Sequence, residues 1–433
     1  MTMFARRRLC CGLIGAMLLG ATCLTPARAA TAVGPQVVVR IIADDLGMRG
    51  LDLDQGPDIP MPQLRELARQ GTSFTDANAT SPICVPSRAA MVLGRYPQRP
   101  GTAIWSNPPL HGVFYPLPRQ LTTMAEAMSQ AGYRSIALGK YPVRKEPAQA
   151  PTANGYDEFL GIYNNGTLYR DPKLWRDGRQ YSTRFKGNLT EILTDEAVAF
   201  LRRNRGQRLF VDLTPTAPHL PYQGNASQLA RCSSIRDSQR RGFCATMVGL
   251  DDMIGRVRVE LAAQGLLGNS LIVFASDNGC ATDGCDQGQL RGHKGTPYEG
   301  GTRVPMIISW PGRVPAGATY GPMVSLMDIY PTLLDVTGRP QLATHGLDGV
   351  SLLPALHGSP VLPHRELFFS TRPGQASVKS GGWKLYQFRG RYELYDLRTD
   401  LGEQRDLARV RPDVVAVLAP RIRAWLADMQ PRP

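Results

Sequence analysis

The 433-residue sequence has no internal repeat and no sustained heptad pattern, which argues against a solenoid and a long coiled coil. It has no zinc-finger spacing and no basic tract interleaved with aromatics, so nucleic acid is not an expected partner. Acidic side chains are scarce relative to basic ones, 36 against 50, and the formal net charge is +14. Cysteine is sparse too, eight in all, and only five follow residue 29, at positions 84, 232, 244, 280 and 285. At 42% hydrophobic and 20% charged the composition is globular, with room for two or three domains or for one large α/β domain with a smaller partner.

The first 29 residues read as an export signal. Arg6, Arg7 and Arg8 form a positive head, Leu9 to Leu24 an apolar stretch, and Ala27-Arg28-Ala29 a cleavage box. The competing reading is an N-terminal anchor, but the apolar stretch is short for a bilayer span. A lipoprotein fits less well, because Thr22 precedes Cys23. The expectation is an exported protein, periplasmic or secreted, with no stable membrane span after cleavage. Removing the signal leaves a charge of +10, which would steer anionic substrates or serve solubility. An odd number of cysteines in an exported chain flags one special thiol. Setting Cys84 aside leaves four, enough for two disulfides in an oxidising compartment. Neighbour pairing, Cys232 with Cys244 and Cys280 with Cys285, is expected from spacing. The two other pairings and metal binding are the alternatives.

Several β-branched apolar runs read as buried strands of a parallel sheet. Val37 to Ala43 ends in Asp44 and Asp45. Tyr133 to Leu138 leads into Gly139 and Lys140. Arg208 to Leu213 precedes a Pro-rich loop with His219. Ser270 to Ser276 ends in Asp277 and Asn278. In a parallel sheet these carboxyl ends share one edge, where α/β proteins place ligands. Asp44, Asp45, Asp277 and Asn278 offer hard oxygen donors to a cation; the plainer readings are solvated turns. Met61 to Gln70, Leu121 to Gln130, Leu189 to Arg202 and Phe243 to Gln264 read as helices, the third capped by Asn188. Asp251 and Asp252 read as a solvated helix face. Residues 150–185 read as loops that could rim a cleft. Residues 365–397 carry three strand-like runs in antiparallel hairpins, and Arg421 to Met429 a closing helix entered after Pro420.

Cys84 lies in Thr80-Ser-Pro-Ile-Cys-Val-Pro-Ser-Arg88, followed by Ala89-Ala90 and Leu93-Gly94-Arg95. Pro86 biases Val85 away from the helical region, and Ser87 is a candidate cap for a short helix. Cys84 would then precede a helix N-terminus that favours an anion, with Arg88 as clamp. The plainer reading is a buried structural cysteine. The Cys-x-Pro-Ser-Arg pattern closely resembles the signature of the type I sulfatases, and the other motifs extend the likeness over nearly the whole mature chain.

That resemblance implies an α/β fold: a large mixed, mostly parallel sheet flanked by helices, alkaline-phosphatase-like, with a small C-terminal antiparallel sheet plus helix. The expected division is signal 1–29, catalytic domain 30–355 and C-terminal domain 356–433. It implies that Cys84 is converted by a formylglycine-generating enzyme to formylglycine, whose hydrate attacks sulfur. It implies that Asp44, Asp45, Asp277, Asn278 and residue 84 hold Ca²⁺, and that Lys140, Lys294 and His219 contact the sulfate or ester oxygen. Glu299 and Arg303 are expected to hold a loop. The expected reaction is hydrolysis of a sulfate monoester on a small molecule or sugar. The rivals are phosphonate or phosphate ester hydrolysis and an inactive sulfatase-like binding protein. The chain departs from the family's Gly-Lys-Trp-His segment at Tyr141 and Pro142, which leaves the histidine's role without an occupant. His111 is a conceivable substitute and His293 an outside candidate.

Overall fold

The computed structural model describes residues 34–48, 59–99, 102, 117–142, 150–163, 169–180, 185–281, 284–359 and 363–430. The signal segment 1–29 and His111 lie outside them. The chain opens with β1 (Val37–Ala43), α1 (Pro62–Arg69), β2 (Thr72–Asn78) and α2 (Cys84–Leu93). Next come α3 (Met124–Gln130), β3 (Arg134–Tyr141), β4 (Glu158–Tyr163) and the short β5 (Trp175–Arg176) and β6 (Arg179–Gln180). Then follow α4 (Leu189–Arg203), β7 (Leu209–Thr214), α5 (Ala226–Arg231), α6 (Ser238–Ala263) and β8 (Ser270–Ser276). The sequence continues through α7 (Glu299–Thr302), β9 (Arg303–Ser309), β10 (Ala318–Tyr320), β11 (Val324–Ser325), α8 (Ile329–Val336) and α9 (Leu353–Leu356). It ends with β12 (Glu366–Arg372), β13 (Gln375–Ser380), β14 (Trp383–Phe388), β15 (Arg391–Asp396) and α10 (Pro412–Asp428).

The main sheet runs β10-β2-β9-β8-β1-β7-β3-β4-β5-β6, with β11 beside β2. The central strands β8, β1, β7, β3 and β4 are mutually parallel, whereas β9 is antiparallel to both its neighbours. Every residue of β1 and of β8 is buried, as strands covered on both faces require. One face packs on α2, α3 and α8, the other on α1, α4 and α6. The second sheet, β12 to β15, is antiparallel and packs its apolar face on α10. This is the mixed, mostly parallel architecture with a small C-terminal sheet and helix that the sequence leads one to expect.

Several local expectations need correction. Helix α6 starts at Ser238 rather than Phe243, because Asp237 caps it by accepting from the Arg240 N–H. Asp251 does not lie on a solvated face: its carboxylate is 1% exposed and accepts from the backbone N–H groups of Gln63 and Leu64 at 3.2 and 2.8 Å. It caps α1 from outside, where Met61 offers no side-chain cap. Residues 150–185 are not all loop, since Glu158 to Tyr163 pairs with β3 and buries Phe159, Leu160 and Ile162. Strand β2 and strand β13 were not expected; β13 is short, rich in small polar residues and lacks a strong apolar run. Helix α10 begins at Pro412 and carries Pro420 inside it. Both expected disulfides are present, Cys232 with Cys244 and Cys280 with Cys285.

Candidate active site

The four parallel strands β8, β1, β7 and β3 bring their carboxyl ends to one edge, and the expected site residues collect there. The chain leaves β1 through Asp44 and Asp45, the latter in the left-handed region at φ 65°, which Asp tolerates better than most residues. Hydrogen bonds from Asp44 N to Ala217 O (3.0 Å), Asp45 N to Asp277 Oδ1 (3.1 Å) and Leu46 N to Ser276 Oγ (2.9 Å) lace this turn to its neighbours. Lys140 lies within β3, not past it, and is 2% exposed. Gly139 before it is obligatory: at φ 114° a Cβ would strike the Thr214 carbonyl of β7.

Helix α2 starts at Cys84 rather than after Ser87, and Ile83 is the cap, so Ser87 caps nothing. All ten residues of α2 are buried, and the left-handed Gly94 ends it. The Cys84 thiol is free and lies 3.6 Å from Asp45 Oδ1. One turn on, Arg88 donates from Nε to Asp277 Oδ2 at 2.7 Å and from Nη1 to the Lys140 carbonyl at 3.4 Å; its Nη2 is 3.6 Å from Asp44 Oδ1.

The remaining contacts centre on the two aspartates. Lys140 Nζ donates to Asp44 Oδ2 at 2.7 Å and Lys294 Nζ to Asp45 Oδ2 at 2.8 Å. Asn278 Nδ2 donates to Asp45 Oδ1 at 2.9 Å, and His219 Nε2 is 3.4 Å from Asp45 Oδ2. The His219 Nδ1 faces the Leu220 carbonyl, which can only accept; Nδ1 therefore carries the proton and Nε2 is left to face the site. Lys294 and His219 are about a quarter exposed, whereas Asp44, Arg88 and Lys140 are shut in, so the site opens on the Lys294–His219 side.

Burial pushes the Cys84 thiol well up, Lys140 opposes, and the Asp277, Asp44 and Asp45 charges push it further. At neutral pH it is an un-ionised thiol, a poor nucleophile and a poor donor to a hard ion. Burial would raise Asp44, yet Lys140 and Arg88 outweigh it and hold the carboxyl well below its usual range. Asp277 goes the other way: burial, with Arg88 opposing and the Asp44 and Asp45 charges adding, pushes it up to about 6. Three carboxylates thus share one buried cluster with three cations, Arg88, Lys140 and Lys294, and Asp44 is better compensated there than Asp277.

The oxygens of this cluster are placed to share a dication. Ligand atoms of Asp44, Asp45, Cys84 and Asp277 all lie within 4.8 Å of one another. Among the described residues, Asp44 Oδ1 and Asn278 Oδ1 are buried without a hydrogen-bond partner, an expensive state for a polar oxygen, although Arg88 stands 3.6 Å from the first. The donor set is oxygen-rich and carboxylate-dominated, which suits Ca²⁺ once residue 84 bears oxygen in place of sulfur.

Two features escaped the sequence reading. Arg40 on β1 sits directly opposite Asp212 on β7 and bonds it through Nε (2.9 Å) and Nη2 (2.7 Å), with the Tyr156 hydroxyl also on Asp212. This pair lies under α2, where Arg40 Nη1 reaches Met91 Sδ. Its signal was a lone Arg inside Val37–Ala43, which a buried strand cannot carry unpaired. The second is Tyr169, whose hydroxyl meets the His219 loop. His293 turns its Nδ1 to the Lys294 carbonyl and is exposed, and Pro142 is buried beside Lys140.

Residues 36–339 match the Sulfatase family model, and residues 293–425 match that of N-sulphoglucosamine sulphohydrolase, C-terminal. N-acetylgalactosamine-6-sulfatase of Canis lupus familiaris is 29% identical over 390 residues, covering 83% of this chain and 73% of its own. Arylsulfatase A of Bos taurus is 32% identical over 407 residues, covering 82% and 76%. Among solved structures, Ps i-CgsB in complex with k-i-k-neocarrahexaose superposes with a TM-score of 0.84 at 28% identity, covering 92% of this chain and 94% of that one. Since the first of these matches spans every strand that delivers a site residue, the chain belongs to the sulfatase family, in its type I, formylglycine-dependent branch within the alkaline-phosphatase-like superfamily, and is a sulfuric ester hydrolase.

Proposed function

We propose that the protein hydrolyses sulfate monoesters of carbohydrates or aryl alcohols, using residue 84 as formylglycine and a bound Ca²⁺. The observation that carries this reading is the cluster of Asp44, Asp45, Asp277 and Asn278 around residue 84, in which Asp44 Oδ1 and Asn278 Oδ1 make no hydrogen bond among the described residues. Asp44, Asp45, Asp277, Asn278 and residue 84 would hold the ion. Formylglycine supplies a hydrated carbonyl that can both attack and later release sulfate, and Ca²⁺ supplies charge for the sulfate oxygens.

The chain's own residues do the rest. Arg88 pairs with Asp277 and Asp44 and keeps both carboxylates ionised and oriented toward residue 84. Lys140 and Lys294 present ammonium groups on either side of the Asp44–Asp45 turn, where they neutralise a bound sulfate. His219, with its Nδ1–H committed to Leu220, delivers a proton from Nε2 to the departing alcohol oxygen when the ring is protonated at both nitrogens.

A saccharide substrate is favoured by the likeness to an N-acetylgalactosamine-6-sulfatase and to a structure holding k-i-k-neocarrahexaose. The division at residues 30–355 and 356–433 belongs to the same reading. Glu299, which bonds Lys379 of β13 and Lys384 of β14, supports treating the two parts as one working unit. The two disulfides support maturation in an oxidising compartment, after export and after a formylglycine-generating enzyme has acted. Among the described residues no helix is long and apolar enough to cross a membrane. The test is sulfate release from a panel of sulfated sugars and aryl sulfates, with Ca²⁺ and after chelation. Release from at least one class, abolished by chelator and restored by Ca²⁺, is expected; no release from any, by protein with residue 84 converted, refutes the proposal.

A further inference from the structure

Tyr169 is 1% exposed, and its hydroxyl lies 2.7 Å from the Thr216 carbonyl and 2.8 Å from the His219 carbonyl. A carbonyl cannot donate, so the single phenolic proton is shared between the two. Thr216 O also accepts from the His219 N–H at 2.7 Å, which closes the turn that carries the imidazole. The next carbonyl, Ala217 O, accepts from Asp44 N, so the same turn is stitched to the carboxylate cluster. The phenol therefore ties both ends of the His219 turn, Thr216 and His219, to one side chain.

Tyr169 is itself held on three sides. Its N–H donates to Gln223 Oε1 at 3.1 Å, and the Arg170 N–H reaches the same oxygen at 3.3 Å. Its carbonyl accepts from Leu189 N at 2.6 Å, at the start of α4. Asn188, the α4 cap, donates from Nδ2 to the Gln223 carbonyl at 2.9 Å. Helix α4, Tyr169 with Arg170, and the loop from Thr216 to Gln223 are thereby one hydrogen-bonded frame.

We propose that Tyr169 is the positioning residue for His219. Its hydroxyl fixes the Thr216–His219 turn so that Nε2 is presented beside Asp45, in line for the leaving oxygen. The inference rests on the reading of His219 as the proton donor. In that step His219 acts as the imidazolium, protonated at both nitrogens: its Nε2 proton passes to the ester oxygen as the bond from that oxygen to sulfur breaks, the bonding pair stays with that oxygen, the alcohol leaves neutral, and the ring is left as the Nδ1–H tautomer held by Leu220. Proton delivery matters most when the leaving alkoxide is strongly basic and least when it is a stable phenolate. Misplacing His219 therefore has a signature that loosened packing lacks: the loss must grow with the basicity of the leaving group.

The experiment measures kcat/KM over a series running from para-nitrophenyl sulfate to a sugar sulfate, for wild type, Tyr169→Phe, His219→Ala and Tyr133→Phe. Tyr133 is a control of the same kind, a 1% exposed phenol bonded to the Pro35 carbonyl at the opposite end of β3. Tyr169→Phe is expected to lose about tenfold or more with the most basic leaving group and little with para-nitrophenyl sulfate. Tyr133→Phe is expected to show no such trend. A second readout needs no turnover: in protein labelled with ¹⁵N-histidine, at a pH where the His219 ring is neutral, its Nδ1–H tautomer should dominate in wild type and give way to a mixture in Tyr169→Phe. A steep trend for His219→Ala with a flat profile and an unchanged tautomer for Tyr169→Phe overturns the inference alone. A flat profile for His219→Ala overturns the proton-donor reading beneath it.

Discussion

Lys140 Nζ lies 2.7 Å from Asp44 Oδ2, and neither side chain is more than 2% exposed. Removing one partner of such a pair leaves a charge in a dry site, at a cost of about 3–5 kcal/mol. Lys140→Ala is expected to lower the unfolding free energy of chelator-treated protein by that order. Added Ca²⁺ is expected to recover part of the loss, because a cation beside Asp44 replaces the missing charge. An equal deficit with and without Ca²⁺ would place the ion elsewhere.

Lys294 makes the same contact with Asp45 but stands at the open side, about a quarter exposed. Solvent screening makes its pair worth roughly 1 kcal/mol or less. Lys294→Ala should therefore leave the melting curve nearly unchanged while raising KM for a sulfate ester. A large stability loss together with an unaltered KM would assign Lys294 to the fold rather than to substrate.

Burial pushes Asp251 up to about 6, above its ordinary 3.8, although the Leu64 and Gln63 N–H groups pull it down. The folded chain then binds its proton more tightly than the unfolded one. The contribution to stability is greatest below the unfolded value and falls as pH rises to about 6, by roughly 1.4 kcal/mol per unit of separation. Asp251→Asn removes that dependence. The stability advantage of wild type over the variant should shrink between pH 4 and pH 7 in denaturant titrations; an advantage that grows with pH contradicts the assignment.

Glu299 accepts from Lys384 Nζ (2.9 Å), Lys379 Nζ (2.9 Å) and Arg303 Nη1 (3.0 Å), and neither Glu299 nor Lys384 is exposed. It is the joint between α7 and the C-terminal sheet. Glu299→Gln is expected to cost about 3–5 kcal/mol in chemical denaturation and to expose β13 and β14 to proteolysis. A loss below about 1 kcal/mol would mean that Glu403 alone suffices to hold Lys384.

The sequence announced what rests on local pattern. Val37–Ala43 and Ser270–Ser276 are continuous apolar runs closed by acids, so both strands and both ends of the site could be read directly. The strands β2 and β13 could not, because Thr72–Asn78 and Gln375–Ser380 are largely polar and owe their state to sheet neighbours. Asp251 misled for a related reason. Its partners, Gln63 and Leu64, lie far away in sequence, and a helix face next to another helix's N-terminus looks like a wet one. The local pattern ends a strand at Leu138 and starts a helix after Ser87, whereas Lys140 lies within β3 and Cys84 opens α2, because Gly139 and Pro86 suggest breaks that the strand and the helix absorb. Tyr169 gave no sequence signal at all; only the fold brings it to His219.

The most direct test of the account is the mass of the peptide carrying residue 84, taken from protein that releases sulfate. The account predicts a peptide that has lost one sulfur and two hydrogens and gained one oxygen relative to cysteine. A peptide that still carries the thiol, in a preparation that turns over sulfate esters, would contradict it.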